Sequence, residues 1–383
     1  MRNILLIVSL PVLATAVMLW FHGRFNAAKR ISDPIAENIQ PQLRMVDDEP
    51  DPSLQNGSVQ ALGLWSDHQS LANALMLLMD DSAETPPARK PAMADAFKPF
   101  ADVLKLRWDD QYLFVGSDGM PSHQMMVGIT SWQQQVPLPQ SYFGTNAWQI
   151  PLHPTPSDKP IPIKGHFLRG AIALAVNGVP IFNPQNNRGA VSADIGELDD
   201  HGGHCGRGDD YHYHVAPLFL EKTVGAGKPI AYALDGYPIY GSTGPDGKPV
   251  DEKTLDAYRG KADSGGNYAY YASKKYPFVF AAFHGKVNEI GGQVDPQPSA
   301  QPIRPAGRPL RGAKITAFNS PRKNHYTLKY EYDEQTCTIN YSIEADGSYH
   351  FEFIDGNGTK TEEVYRRGQQ RQPGPGNGAP PPR

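Results

Sequence analysis

The chain has 383 residues, enough to bury one sizeable core and a smaller module. Its 36 Lys and Arg against 40 Asp and Glu give a formal net charge of -4 with no basic stripe, so electrostatics offer no reason to propose nucleic acid as a partner. The 37 Gly, 36 Pro and 18 Tyr predict many short strands and fixed turns and argue against a helical bundle.

Arg2 precedes an apolar run from Ile4 to Phe21, broken only by Ser9, Pro11 and Thr15. That length suits a membrane helix or a long signal peptide. Ala14-Thr15-Ala16 lies too early for cleavage and Ala27-Ala28 is a weak alternative, so residues 1–30 read as a signal peptide or, preferably, an uncleaved signal anchor that tethers the chain to a membrane. Charge alone would keep the remainder inside, because Arg24, Lys29 and Arg30 follow the run while only Arg2 and the amino terminus precede it. Residues 31–98 form a polar tether with a short helical segment. Leu64, Leu71, Leu75, Leu78 and Met79 fall near helical spacing, Ser70 offers an N-cap, and Pro86-Pro87 ends the run. Ala92 to Lys98 predicts a second short helix.

From Val103 the pattern becomes short strands between turns, with one over Tyr112 to Val115 and another over Met125 to Ile129. Trp132 to Pro160 reads as a long ordered loop that walls a pocket or, as the commoner outcome, packs Trp132 and Trp148 against a sheet. Two segments then follow one template, Ala175-Val176-Asn177-Gly178-Val179-Pro180-Ile181-Phe182 and Ala233-Leu234-Asp235-Gly236-Tyr237-Pro238-Ile239-Tyr240. Asn-Gly or Asp-Gly between apolar runs predicts a tight hairpin, and the Pro places each return strand at a sheet edge or at its own first residue.

Between the hairpins lie Asp199-Asp200-His201-Gly202-Gly203-His204-Cys205-Gly206 and Asp209-Asp210-Tyr211-His212-Tyr213-His214. If Tyr211 to Val215 is extended, His212 and His214 share one face and Tyr211 and Tyr213 the other. Two imidazoles two residues apart on a strand can hold one ion, and a Gly-rich loop can return His204 as a third nitrogen. The competing reading is that these rings only pack and hydrogen-bond to backbone. His201 and Asp199 are reserve ligands, His123 is a distant one, and Asp235 is either an outer partner orienting an imidazole or a plain turn residue. An all-His set beside an Asp suits zinc or copper alike. Asn267-Tyr268-Ala269-Tyr270-Tyr271 reads as a degenerate second copy that has lost its imidazoles.

Residues 291–312 form a Pro-rich linker. Residues 313–367 form a small antiparallel meander, with strands over Tyr326–Tyr332, Thr336–Glu344, Ser348–Ile354 and Lys360–Tyr365, that needs a surface for its apolar face. Residues 368–383 are a Gly- and Pro-rich tail of disordered composition. The fold class is therefore mainly β with irregular loops, antiparallel sheets and hairpins, and short N-terminal helices. Cys205 and Cys337, the only two cysteines, can pair outside the cytoplasm, and Cys205 can equally be a free thiol or a ligand.

The Tyr-His-Tyr-His run after Gly-Gly-His, followed by residues 233–241, resembles the YHYH domain family. Asn177–Asn183 and Ser117–His123 resemble that family's other blocks in the same order, so the domain is expected over residues 99–290. The resemblance implies export, hence a periplasmic or secreted location in the cell envelope, and metal binding without an assigned activity. His201 stands where this family usually has Cys. Two other readings use the same residues. A metal-dependent hydrolase or oxidase would activate a bound water, or Asp199, Asp209 and Asp210 would act without metal on a small molecule or carbohydrate. A structural or adhesion domain would use His and Tyr only to pack a sheet.

Overall fold

The computed structural model describes residues 89–367; the N-terminal apolar run, the tether with its Leu-rich segment and the C-terminal tail lie outside the described residues. The described residues fall within one compact unit. The described residues hold twenty strands, β1 to β20, and only short helices, so the protein is mainly β. The short helix expected from Ala92 is a 3-10 helix, Ala92–Phe100, which buries Ala94 and Phe97.

A sheet of β1 (Lys105–Trp108), β2 (Tyr112–Gly116) and β3 (Trp148–Pro151) precedes the central one. The predicted long loop is thus interrupted by β3 and by β4 (Pro156–Pro162), while Trp132 and Trp148 are buried as packing residues. Met125–Ile129 is not a strand. Met126 has φ 68 and Gly128 φ 96, which breaks extension, and the Met126 amide donates to Asp199 at 2.7 Å instead of to a ladder.

The eight-stranded central sheet is a duplication. Its first half is β5 (Ala171–Ala175), β6 (Pro180–Phe182), β7 (Gly203–Cys205) and β8 (Tyr211–Tyr213). Its second is β9 (Ala231–Ala233), β10 (Pro238–Tyr240), β11 (Gly260–Ala262) and β12 (Tyr268–Tyr271). The order β11-β12-β10-β9-β5-β6-β8-β7 reads the same outward from the antiparallel β5–β9 pair. On each side comes an antiparallel hairpin, a parallel neighbour and an antiparallel outer strand. The hairpins turn where Asn177-Gly178 and Asp235-Gly236 predict. Gly178 (φ 81) and Gly236 (φ 96) occupy the left-handed region that a side chain disfavours. Pro180 and Pro238 begin interior strands, so the lost donor sits at a strand's first residue.

The Pro-rich stretch after residue 291 is pinned to the sheet rather than free. Arg304 forms a bidentate, buried ion pair with Asp209 (2.8 and 2.9 Å), and Gln297 accepts from the Ala171 amide. The C-terminal sheet has five antiparallel strands, one more than the sequence predicts: β16 (Lys314–Arg322), β17 (His325–Tyr332), β18 (Gln335–Ile343), β19 (Tyr349–Ile354) and β20 (Lys360–Tyr365). Leu328, Ile339, Tyr341 and Phe351 on one face join the same core as the central sheet, and the Tyr341 hydroxyl donates to the Pro137 carbonyl.

Candidate metal centre

The β7–β8 hairpin puts His204 directly across from His212 in register. Side chains alternate along β8 as expected. His212 and His214 lie on one face with ring centroids 5.0 Å apart, and the His204 ring is 4.9 Å from each. One nitrogen from each imidazole falls within 4.8 Å of the other two. Nδ1 of His214 donates to the Asn183 carbonyl at 2.5 Å, and Nδ1 of His212 donates to the Asp210 carbonyl at 2.9 Å. These bonds assign the tautomers, leaving a lone pair on each Nε2, the arrangement that orients histidine ligands in metal sites. The Asp210 carboxylate stands 3.4 Å from the same His212 nitrogen, and Phe182 stacks on the His212 ring at 3.8 Å.

Burial, and then its imidazole neighbours and Arg188, hold His204 well below the usual histidine range. Burial foremost takes His214 down to about 3, with the Asn183 hydrogen bond opposing. Both are therefore neutral at pH 7, the form that donates to a metal. His212 and His214 are buried, while His204 keeps a partly exposed edge, so the open side of the trio is at His204.

The reserve ligands lie on the tyrosine face. Asp199 accepts from the Tyr211 hydroxyl (2.7 Å) and from the amides of Met126, His201 and Gly203, which makes it the anchor of the loop. His123 and His201 stack on each other at 3.9 Å. Asn177 donates to the Tyr213 hydroxyl, which donates to His123 Nε2, whose Nδ1 donates to the Gln124 carbonyl. Burial lowers His123 to about 4. None of the three reaches the trio, because strand alternation divides the motif between two faces.

Asp235 orients no imidazole. It accepts from the Tyr270 hydroxyl (2.6 Å) and the amides of Gly285 and Tyr237, and burial raises it to about 6. Asp209, a candidate acid or base, is tied up by Arg304. Cys205 and Cys337 are both buried free thiols, and Cys205 alternates with His204 on β7 and so points away from the trio.

The second copy repeats this framework without imidazoles. Asp256 takes the hydroxyl of Tyr268 and the amides of Tyr258 and Gly260, as Asp199 takes those of Tyr211, His201 and Gly203. Gly203 and Gly260 are required because a Cβ on either would collide with that tyrosine's hydroxyl. Asp235 meets Tyr270 as Asn177 meets Tyr213. Where the first copy has His204, His212 and His214, the second has Lys261, Ala269 and Tyr271, with the Lys261 ammonium 5.3 Å from the centre of the Tyr271 ring. One copy offers three imidazole nitrogens; the other carries its own cation.

Asn183, Phe182 and Asp210 escaped the sequence reading as supports of the trio. A backbone carbonyl leaves no residue-type signal, though the shared Pro-Ile-aromatic template hinted at Phe182. A cavity of about 410 Å³ lies away from this centre, on the C-terminal sheet, lined by His325, Asn340, His350 and Glu352 among others. Among the described residues no helix is long and apolar enough to cross a membrane.

No curated protein and no solved structure matches the chain. Residues 147–248, which contain the whole histidine-bearing copy and the hairpin of the other, match the sequence model of the family described as YHYH protein, and the chain carries a YHYH domain there.

Proposed function

We propose that the YHYH domain is a transition-metal-binding module that holds one ion on His204, His212 and His214. The observation that carries this reading is the convergence of three ligand nitrogens on one point, two of them aimed by backbone carbonyls. Imidazole donors without thiolate suit zinc and copper. The partly exposed edge at His204 supports a site open on one side, and so a second reading in which the ion polarises a water for hydrolysis or oxidation. The apolar run Ile4–Phe21 and the family resemblance support an exported, membrane-tethered chain.

Elemental analysis after loading with zinc or copper and dialysis tests the metal reading. About one ion per chain, lost in His212→Ala, supports it. A wild-type protein that retains neither metal rejects it.

A further inference from the structure

Three imidazole ligands bring no negative charge of their own to a divalent ion and leave a fourth position for an exogenous ligand. Residues 183–191 leave β6 beside the trio: the Asn183 carbonyl holds His214, and the loop tip carries Arg188. A buried carboxylate fixes that tip. Glu197 binds Arg188 with one oxygen and Asn186 and Ser192 with the other, while the Arg188 side chain stays 55% exposed. Its remaining guanidinium nitrogens have no protein partner among the described residues.

The duplicated half supplies a control. Residues 241–249 make the same turn, with Gly244 to Lys248 and Gly247 to Gly244 bonds matching Asn186 to Ala190 and Gly189 to Asn186. At its tip Asp246 replaces Arg188, close to Tyr271, which replaces His214. The copy with a built-in ammonium, Lys261, thus has an anionic tip, and the copy with imidazoles has a cationic one. Glu197 offsets the Arg188 charge from one side, and an anion between the guanidinium and the ion would remove the repulsion that is left.

We propose that the ion on the trio takes a small oxoanion, a carboxylate or a phosphate, as its external ligand, with Arg188 binding a second oxygen of that anion. This rests on the metal reading. The test uses the full chain loaded with cobalt(II), titrated separately with acetate and with inorganic phosphate while the visible absorption of the cobalt is followed. The expected result is a saturable spectral change with at least one anion, the responding arm naming the class. In Arg188→Gln that anion should bind about tenfold more weakly, with cobalt content unchanged. A cobalt-loaded wild type that responds to neither anion overturns the proposal and leaves the metal reading standing, as does equal affinity in Arg188→Gln. A chain that takes up no cobalt overturns the metal reading itself.

Discussion

Nε2 of His204 and Nε2 of His214 lie 3.0 Å apart. Two nitrogens bound to one tetrahedral zinc at ordinary bond lengths would be separated by roughly 3.3 Å. The pair therefore needs only a slight opening to admit an ion. Without one, His204 must place a proton between the rings, since the Asn183 carbonyl commits His214 to accept.

Acid should destabilise the metal-free protein through the trio. The folded-state value of His214, about 3, lies below its unfolded value near 6.5, so between these limits the unfolded chain binds the extra proton. Stability from this group is complete above pH 6.5 and lost on acidification, at up to about 1.4 kcal/mol per pH unit. Asp235, raised to about 6, works in the opposite sense, so the effect must be isolated. Urea unfolding of wild type and His214→Gln at pH 7 and 5 does so. The stability advantage of wild type should shrink at pH 5; an unchanged or larger advantage contradicts the assignment.

Asp199 is an anchor rather than a ligand. Asp199→Ala strands the buried Tyr211 hydroxyl and the amides of Met126 and Gly203, and should cost about 2–4 kcal/mol in chemical denaturation. Any metal loss should track unfolding: at temperatures where the variant remains folded, its metal content should equal that of wild type.

Arg304→Met should destabilise by about 3–5 kcal/mol, because it leaves the Asp209 carboxyl buried without its partner. Adding Asp209→Asn should recover part of that loss. Additive costs measured by denaturation would show that the pair is not the contact pinning the Pro-rich stretch.

Lys261→Met should lower stability by no more than about 1 kcal/mol, the scale of one cation–π contact, and should leave metal stoichiometry unchanged. Metal loss in this variant would mean that the second copy contributes to the centre.

The alternation of Tyr211, His212, Tyr213 and His214 was legible because a strand fixes it, and the two turns were legible because Asn-Gly and Asp-Gly have few conformational options. The full duplication was only half legible. His204, His212 and His214 had become Lys261, Ala269 and Tyr271, and the shared Asp199/Asp256 anchors resemble any Asp in a Gly-rich loop. His201 and Asp199 were drawn toward the site by sequence proximity, yet their bonds run to the opposite face. Met125–Ile129 has the composition of a strand but is held out of one by Asp199, a contact 73 residues away.

X-ray absorption at the zinc edge of the loaded protein tests the centre most directly. The expected result is a shell of nitrogen and oxygen at about 2.0–2.1 Å with imidazole scattering from three rings and no sulfur. A sulfur contribution near about 2.3 Å, or a shell without imidazole, would place the ion elsewhere and contradict it.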